Sequence, residues 1–201
     1  MKECISKGYS NLIEQRSRFV GCCFTIQTED DFYHELQVIK ANHREARHFT
    51  FAWRYQKDQQ VFEKLSDDGE PHGVAGLPIL TLLQKQDIIN TAVIVARYFG
   101  GIKLGKKRLL SVYLDSAKQA VEYAVFSQRI QGFCIKLKIP YASFVLMEKW
   151  IASAQGKIMD KVFSDQITIQ CWMSDDQFEV FKASPLFHSI KIVDIQKMNM
   201  L

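Results

Sequence analysis

Residues 91–126, TAVIVARYFGGIKLGKKRLLSVYLDSAKQAVEYAVF, run from an apolar stretch through a glycine-broken basic loop into a long amphipathic stretch. Thr91–Ala96 has the length and composition of a buried strand. From Lys106 to Phe126, residues Leu109, Tyr113, Ala117, Ala120, Val121 and Ala124 recur at helical spacing, which predicts a helix with one apolar face. Between them, Arg97–Arg108 (RYFGGIKLGKKR) holds five cations, three glycines and no acid. A helix start presents unsatisfied N–H groups and the positive end of the dipole, so it favours anions. Lys106, Lys107 and Arg108 crowd that start at a cost of roughly 0.3–1 kcal/mol each. A negative companion is expected there, either an internal carboxylate or an external phosphate.

Working outward, residues 18–26 read as a strand, and Thr28 with Glu29, Asp30 and Asp31 opens a helix reaching about Asn42. Phe49–Trp53 and Val61–Leu65 read as strands joined by the polar turn Gln56–Gln60, and Val74–Leu83 as a buried helix. Towards the C-terminus, Phe133–Ile139 alternates as a strand. Phe144, Met147, Ile151 and Ala154 then form a helical stripe ending at Gly156. Ile158–Phe163 and Ile167–Met173 read as strands, Ser174–Gln177 as a capping box leading a helix to Pro185, and His188–Ile195 as a last strand. That βαββαβ order is the ferredoxin-like pattern. Ser127–Gln131 and Gly132 read as a linker, so the expected domains are 1–129 and 130–201 of an α+β chain.

Hydrophobic content of 47% and charged content of 24% over 201 residues place the chain among folded globular proteins. A net charge of +4 does not establish nucleic-acid binding, but five of the 26 cations fall in one twelve-residue loop. No stretch has signal-peptide or membrane-span character, and a cytoplasmic setting is expected. Five cysteines (Cys4, Cys22, Cys23, Cys134 and Cys171) form no CxxC pair and read as small core hydrophobes in a reducing compartment.

Ser66-Asp67-Asp68-Gly69-Glu70-Pro71, with Gly73, Ala75, Gly76 and Pro78, resembles the SDDGEPxGTAGxP signature of the IMPACT/YigZ family. Arg97–Gly105 resembles its RYFGGxKLG signature, and Ser17-Arg18-Phe19 and the segment His43–Trp53 add supporting matches. The resemblance spans essentially the whole chain and looks like the bacterial two-domain type. It implies an N-terminal domain of the fold shared with RNase PH and a ribosomal-protein domain, followed by a ferredoxin-like domain. It also implies kinship with eukaryotic translational regulators. Two departures stand out: Lys107 and Arg108 replace a glycine pair of the family pattern, and Val74 stands where a Thr is usual. An extended electrostatic surface tolerates such changes better than a fitted small-molecule pocket.

The leading expectation is a protein without catalytic activity that binds RNA or the ribosome and modulates translation. Arg97, Lys103, Lys106, Lys107 and Arg108 would contact phosphates, while Gly100, Gly101 and Gly105 shape the loop. Asp67, Asp68 and Glu70 would orient these cations; the loop reads equally as a solvated turn neutralised by the same acids. The alternatives are a hydrolase or transferase acting on a phosphorylated small molecule, with magnesium on those carboxylates, and a protein-interaction adaptor. The adaptor would use a C-terminal sheet face of Cys134, Lys136, Lys138, Gln166, Thr168, Gln170 and Trp172. His43 with His48 is a weak zinc signal, Asp67 with His72 a weak acid–base pair, and neither a metal nor a cofactor is expected.

Overall fold

In a computed structural model, which describes residues 1–57 and 60–200, the strand expected at 91–96 extends over Thr91–Tyr98 at the centre of a five-stranded antiparallel sheet. In chain order the first unit contains β1 (Lys2–Ser6), β2 (Gly8–Glu14), β3 (Ser17–Thr25), α1 (Glu29–Asn42), β4 (His48–Lys57) and β5 (Gln60–Ser66). Then follow α2 (Gly76–Lys85), β6 (Ile88–Ile89), β7 (Thr91–Tyr98), α3 (Lys106–Glu122) and β8 (Val125–Gln128). The large sheet has the order β2-β3-β7-β4-β5. Part of the expected turn at 56–60 (residues 58 and 59) lies outside the described residues.

The unbroken apolar run of β7 follows from burial on both faces. Val93 and Val95 pack with Phe19, Leu83, Leu109 and Tyr113 under α2 and α3. Ala92, Ile94 and Ala96 face the other way, onto Phe32, Leu36 and Ile39 of α1 with Phe51 and Trp53. Strand periodicity of two sorts the residues between the two layers. Thr28 opens α1 as its sequence predicts, and the structure adds a full capping box with Asp31.

Two expectations are corrected here. The long helix ends at Glu122, not near Phe126, because Val125–Gln128 pairs antiparallel with β1, placing Phe126 opposite Cys4. That partner strand, like β2, lies in an N-terminal segment the pattern reading left unassigned. The expected polar linker is also mostly strand: β8 runs to Gln128 and β9 starts at Ile130. Gly132 lies inside β9, where an added Cβ would stand 2.1 Å from the Met173 carbonyl oxygen.

The chain divides into compact units Met1–Gln128 and Arg129–Leu201. The second comprises β9 (Ile130–Ile139), α4 (Tyr141–Ser153), β10 (Lys157–Phe163), β11 (Ile167–Ser174), α5 (Asp175–Lys182), a 3-10 turn (Pro185–Ser189) and β12 (Lys191–Met200). Its antiparallel sheet has the order β10-β11-β9-β12. Ile135, Leu137, Ile139, Ile167 and Ile169 point into a core closed by Met147, Ile151, Phe178 and Phe181. Ser174 and Gln177 form the expected capping box. His188 falls in the turn that Pro185 initiates, so the last strand starts later than its pattern suggests.

The C-terminal sheet face differs from the sequence reading. Lys136 and Lys138 are exposed, but Trp172 and Cys134 are buried, 5% and 8% exposed. The Trp172 ring closes over the bare backbone of Gly132, and its Nε1 donates to the Met198 carbonyl at 3.4 Å. It therefore offers no open aromatic platform. All five cysteines are buried and free of disulfides.

Candidate functional site

The two sequence motifs meet at the end of β7. Arg97, 5% exposed, leaves the strand beside Glu70 of the acidic turn, with Nη1 donating to Oε1 at 2.6 Å. The Tyr113 hydroxyl donates to the same oxygen at 2.7 Å. Burial, followed by the bond to Glu70, pushes the Tyr113 hydroxyl pKa far up, so it stays a donor. The guanidinium lies 5.3 Å from the Phe19 ring centroid and 5.5 Å from that of Phe99. Its Nε is buried and has no hydrogen-bond partner among the described residues.

Of the three acids expected to orient the basic loop, Glu70 does so, while Asp67 and Asp68 take backbone donors instead. α2 begins without a side-chain cap from its own N-cap residue, Ala75. Asp67 supplies the missing acceptor: Oδ2 takes the Gly73 N–H at 2.7 Å, and Oδ1 takes those of Ala75 and Gly76 at 3.0 and 2.9 Å. Burial opposes the charge of Asp67, but these three backbone donors outweigh it and hold the carboxyl below its usual range. Asp68 turns the other way and accepts the Phe49 N–H at 2.6 Å. Only Glu70 touches a cation of the basic motif. Orphan backbone donors at a helix start and a strand start claim the nearest carboxylates first. The three acids thus diverge onto separate tasks, and among the described residues no cluster of His, Cys, Asp and Glu could hold a metal ion.

On the basic side, Lys103, Lys106 and Lys107 are exposed, and no ion pair holds any of them among the described residues. Arg108 pairs with Glu14 of β2 at 2.6 Å, an acid outside the motif turn. α3 opens at Gly105, which has a φ of +74° and no side-chain cap, with no acid in the first turn. Gly100 is required for a different reason: an added Cβ would lie 2.1 Å from the Arg16 carbonyl carbon. Its N–H is donated to Ser17 Oγ at 3.1 Å. Gly101 also has a positive φ, +86°.

Two cavities flank the loop Leu104–Lys106. The first, about 430 Å³, is lined by Arg47, His48, Glu70, Arg97, Phe99, Lys103 and Lys106, with Pro71, Leu104 and Leu109 as apolar walls. The second, about 480 Å³, follows Gly105, Lys106, Lys107, Arg108 and Ser111 along the start of α3. In the first, four fixed cations face one carboxylate that Arg97 already neutralises. The loop glycines, Arg97, Lys103, Lys106, Lys107 and Arg108 are therefore gathered around one helix start. Among the motif acids, only Glu70 joins them.

Sequence reasoning missed Arg47 and Phe99 as site residues. The signal for Arg47 is a strand register invisible in one dimension: His48 is the pairing partner of Arg97, and the Arg47 N–H donates to the Arg97 carbonyl at 2.8 Å. The histidines do not share a site. His43 Nδ1 meets the Tyr98 hydroxyl at 2.7 Å, whereas His48 Nδ1 meets the Asp68 carbonyl at 2.7 Å. His72 is fully exposed, its Nδ1 3.8 Å from Asp67 Oδ2, whose oxygens are already engaged by backbone donors. No helix among the described residues is long and apolar enough to cross a membrane.

The architecture has solved counterparts. A crystal structure described as that of a hypothetical protein superposes with a TM-score of 0.63 at 22% identity, covering 97% of each chain, a likeness of fold alone. Among sequences, IMPACT family member YvyE of Bacillus subtilis is 26% identical over 174 residues, 87% of this chain and 80% of the relative. IMPACT family member YigZ of Escherichia coli is 30% identical over 126 residues, 62% of each chain. The family model of the Impact N-terminal domain matches residues 15–121, more than half the chain and the whole of the motif-bearing cleft, and the chain belongs to the IMPACT family.

Proposed function

We propose that this protein is a cytoplasmic translational regulator that binds structured RNA or the ribosome through the cleft at the start of α3. The observation that carries the reading is the set of three lysines, Lys103, Lys106 and Lys107, unpaired among the described residues, around an uncapped helix N-terminus beside a buried arginine whose Nε has no partner among those residues. Such an arrangement favours phosphate strongly and discriminates little between sequences. Two adjacent cationic cavities suit successive phosphates of one strand. Translation enters the reading through the family, whose eukaryotic members the motifs resemble. We read the first unit as the RNase PH and ribosomal-protein-like fold. We read the second as ferredoxin-like, which the βαββαβ order and the β10-β11-β9-β12 neighbours support. We also place the domain boundary near residue 129.

The magnesium-dependent enzyme reading is weaker, because Asp67 and Asp68 are spent on backbone donors and Glu70 on Arg97 and Tyr113. The adaptor reading loses its aromatic anchor with the burial of Trp172, leaving the polar Lys136, Lys138 and Gln166 as the exposed part of that face. The test is a salt series of binding to a single-stranded oligouridylate. Three or four phosphate contacts give a slope of log affinity against log salt of roughly −2 to −3. Replacing Lys103, Lys106 and Lys107 with Ala should flatten that slope to between about −1 and 0. An unchanged slope removes the loop from the interface.

A further inference from the structure

We infer that the first cavity is an end site: it takes the phosphomonoester at the terminus of a strand, whereas the second takes the diester that follows. The inference rests on the phosphate-binding reading above and names the chemical class each cavity holds. The cavities differ in depth. The second is bordered by exposed side chains, Lys106, Lys107 and Arg108. The first has a buried floor of Arg97 and Leu109, each 5% exposed, with the Glu70 carboxylate 4% exposed beneath them. A diester phosphate carries a nucleoside on both sides, which keeps it from reaching groups recessed below a surface. A terminal phosphate projects beyond its nucleoside and can. Its charge of about −1.5 to −2 also suits the surplus of cations there better than the single charge of a diester.

His48 strengthens this assignment. Its Nδ1 lies 2.7 Å from the Asp68 carbonyl oxygen, which can only accept, so Nδ1 carries the hydrogen. Nε2 is then the free nitrogen on the cavity side, 3.9 Å from Glu70 Oε1. The groups around it are the Asp68 carbonyl and Glu70 from the acidic turn, Arg97 from β7, and Arg47 on its own strand entry. Lys103 and Lys106 line the same cavity. His48 therefore brings an imidazole edge into the first cavity beside its cations, and the second cavity has no such side chain.

The experiment compares oligouridylates ending in 5′-phosphate, 3′-phosphate or hydroxyl by fluorescence anisotropy, with UMP and inorganic phosphate as competitors. A phosphorylated end should bind about tenfold tighter than a hydroxyl end, the effect of one charge-assisted hydrogen bond. His48→Asn, which keeps a donor for the Asp68 carbonyl but removes the imidazole edge from the cavity, should shrink the preference several-fold. Competition by UMP or inorganic phosphate equal to that of the phosphorylated oligonucleotide assigns the end site to small phosphomonoesters rather than RNA ends and overturns the strand-end assignment. Equal affinity for phosphate and hydroxyl ends overturns the inference while leaving the RNA-binding reading intact. No binding of any oligonucleotide overturns that reading instead.

Discussion

The acidic turn Ser66–Gly73 and the basic loop Arg97–Arg108 look symmetrical as text, one rich in carboxylates and the other in cations, and the fold uses them in opposite ways. Every carboxylate of the turn is consumed internally: Asp67 on the start of α2, Asp68 on the start of β4, Glu70 on Arg97 and Tyr113. The loop spends one cation inward, Arg97, and one sideways, Arg108 onto Glu14, and leaves three lysines facing solvent. The two short aspartates meet backbone N–H groups, and Glu70 meets the side chains of Arg97 and Tyr113. Long side chains in the loop carry charge that remains available to a partner. The contrast separates the residues that hold the site together from those that do its binding.

That contrast can be broken at its strongest point. Glu70→Gln leaves the Arg97 charge buried without its counter-ion, the two side chains being 4% and 6% exposed in the native fold. A loss of about 3–5 kcal/mol in urea unfolding is expected. A loss below 1 kcal/mol would mean that the pair is not the keystone between the motifs. Next, Asp67→Ala removes the surrogate cap of α2 and should cost about 2 kcal/mol. The sign of its pH dependence follows from a folded carboxyl held below its usual range. The stabilisation is complete above the unfolded value of about 4 and is lost as pH falls through the lower folded one. Thermal melts of wild type and variant should therefore converge in acid, and a gap that stays constant down to pH 2 would contradict the assignment.

The basic loop should respond the other way. Replacing Lys103, Lys106 and Lys107 together with Ala should raise stability by about 1 kcal/mol, since Lys106 and Lys107 oppose the positive end of the α3 dipole, whatever it does to RNA affinity. A large destabilisation would show that these lysines have an internal role. Smallest of all, Arg108→Ala should leave the melting temperature where it was, since its pair with Glu14 is exposed and screened by solvent. Circular dichroism melts resolve all four variants, and the order of their effects is itself the test of the comparison.

Much of this organisation is written in short-range patterns. The apolar run of β7, the helical stripe of α3, the capping boxes at Thr28 and Ser174 and the C-terminal βαββαβ order all depend on periodicities within a few residues. Clustering of cations at one helix start is visible in the same way. The misread segments are those whose state depends on a distant partner. Val125–Gln128 is strand only because β1 lies beside it, and Trp172 is buried only because Gly132 lets the ring close over β9.

The sequence alone therefore determined that a basic, glycine-broken loop opens a helix, and that an acidic turn with the family's spacing accompanies it. Tertiary structure alone decided where the acids go, since three of the N–H groups that claim Asp67 and Asp68 belong to the starts of α2 and β4. It also decided that Arg47 and His48 join the cleft, through the register that sets His48 opposite Arg97. The physical reason is range. Propensity and periodicity act over one or two turns of chain, whereas the pairing of charges and donors is settled by whichever groups the packed core brings within about 3 Å of each other.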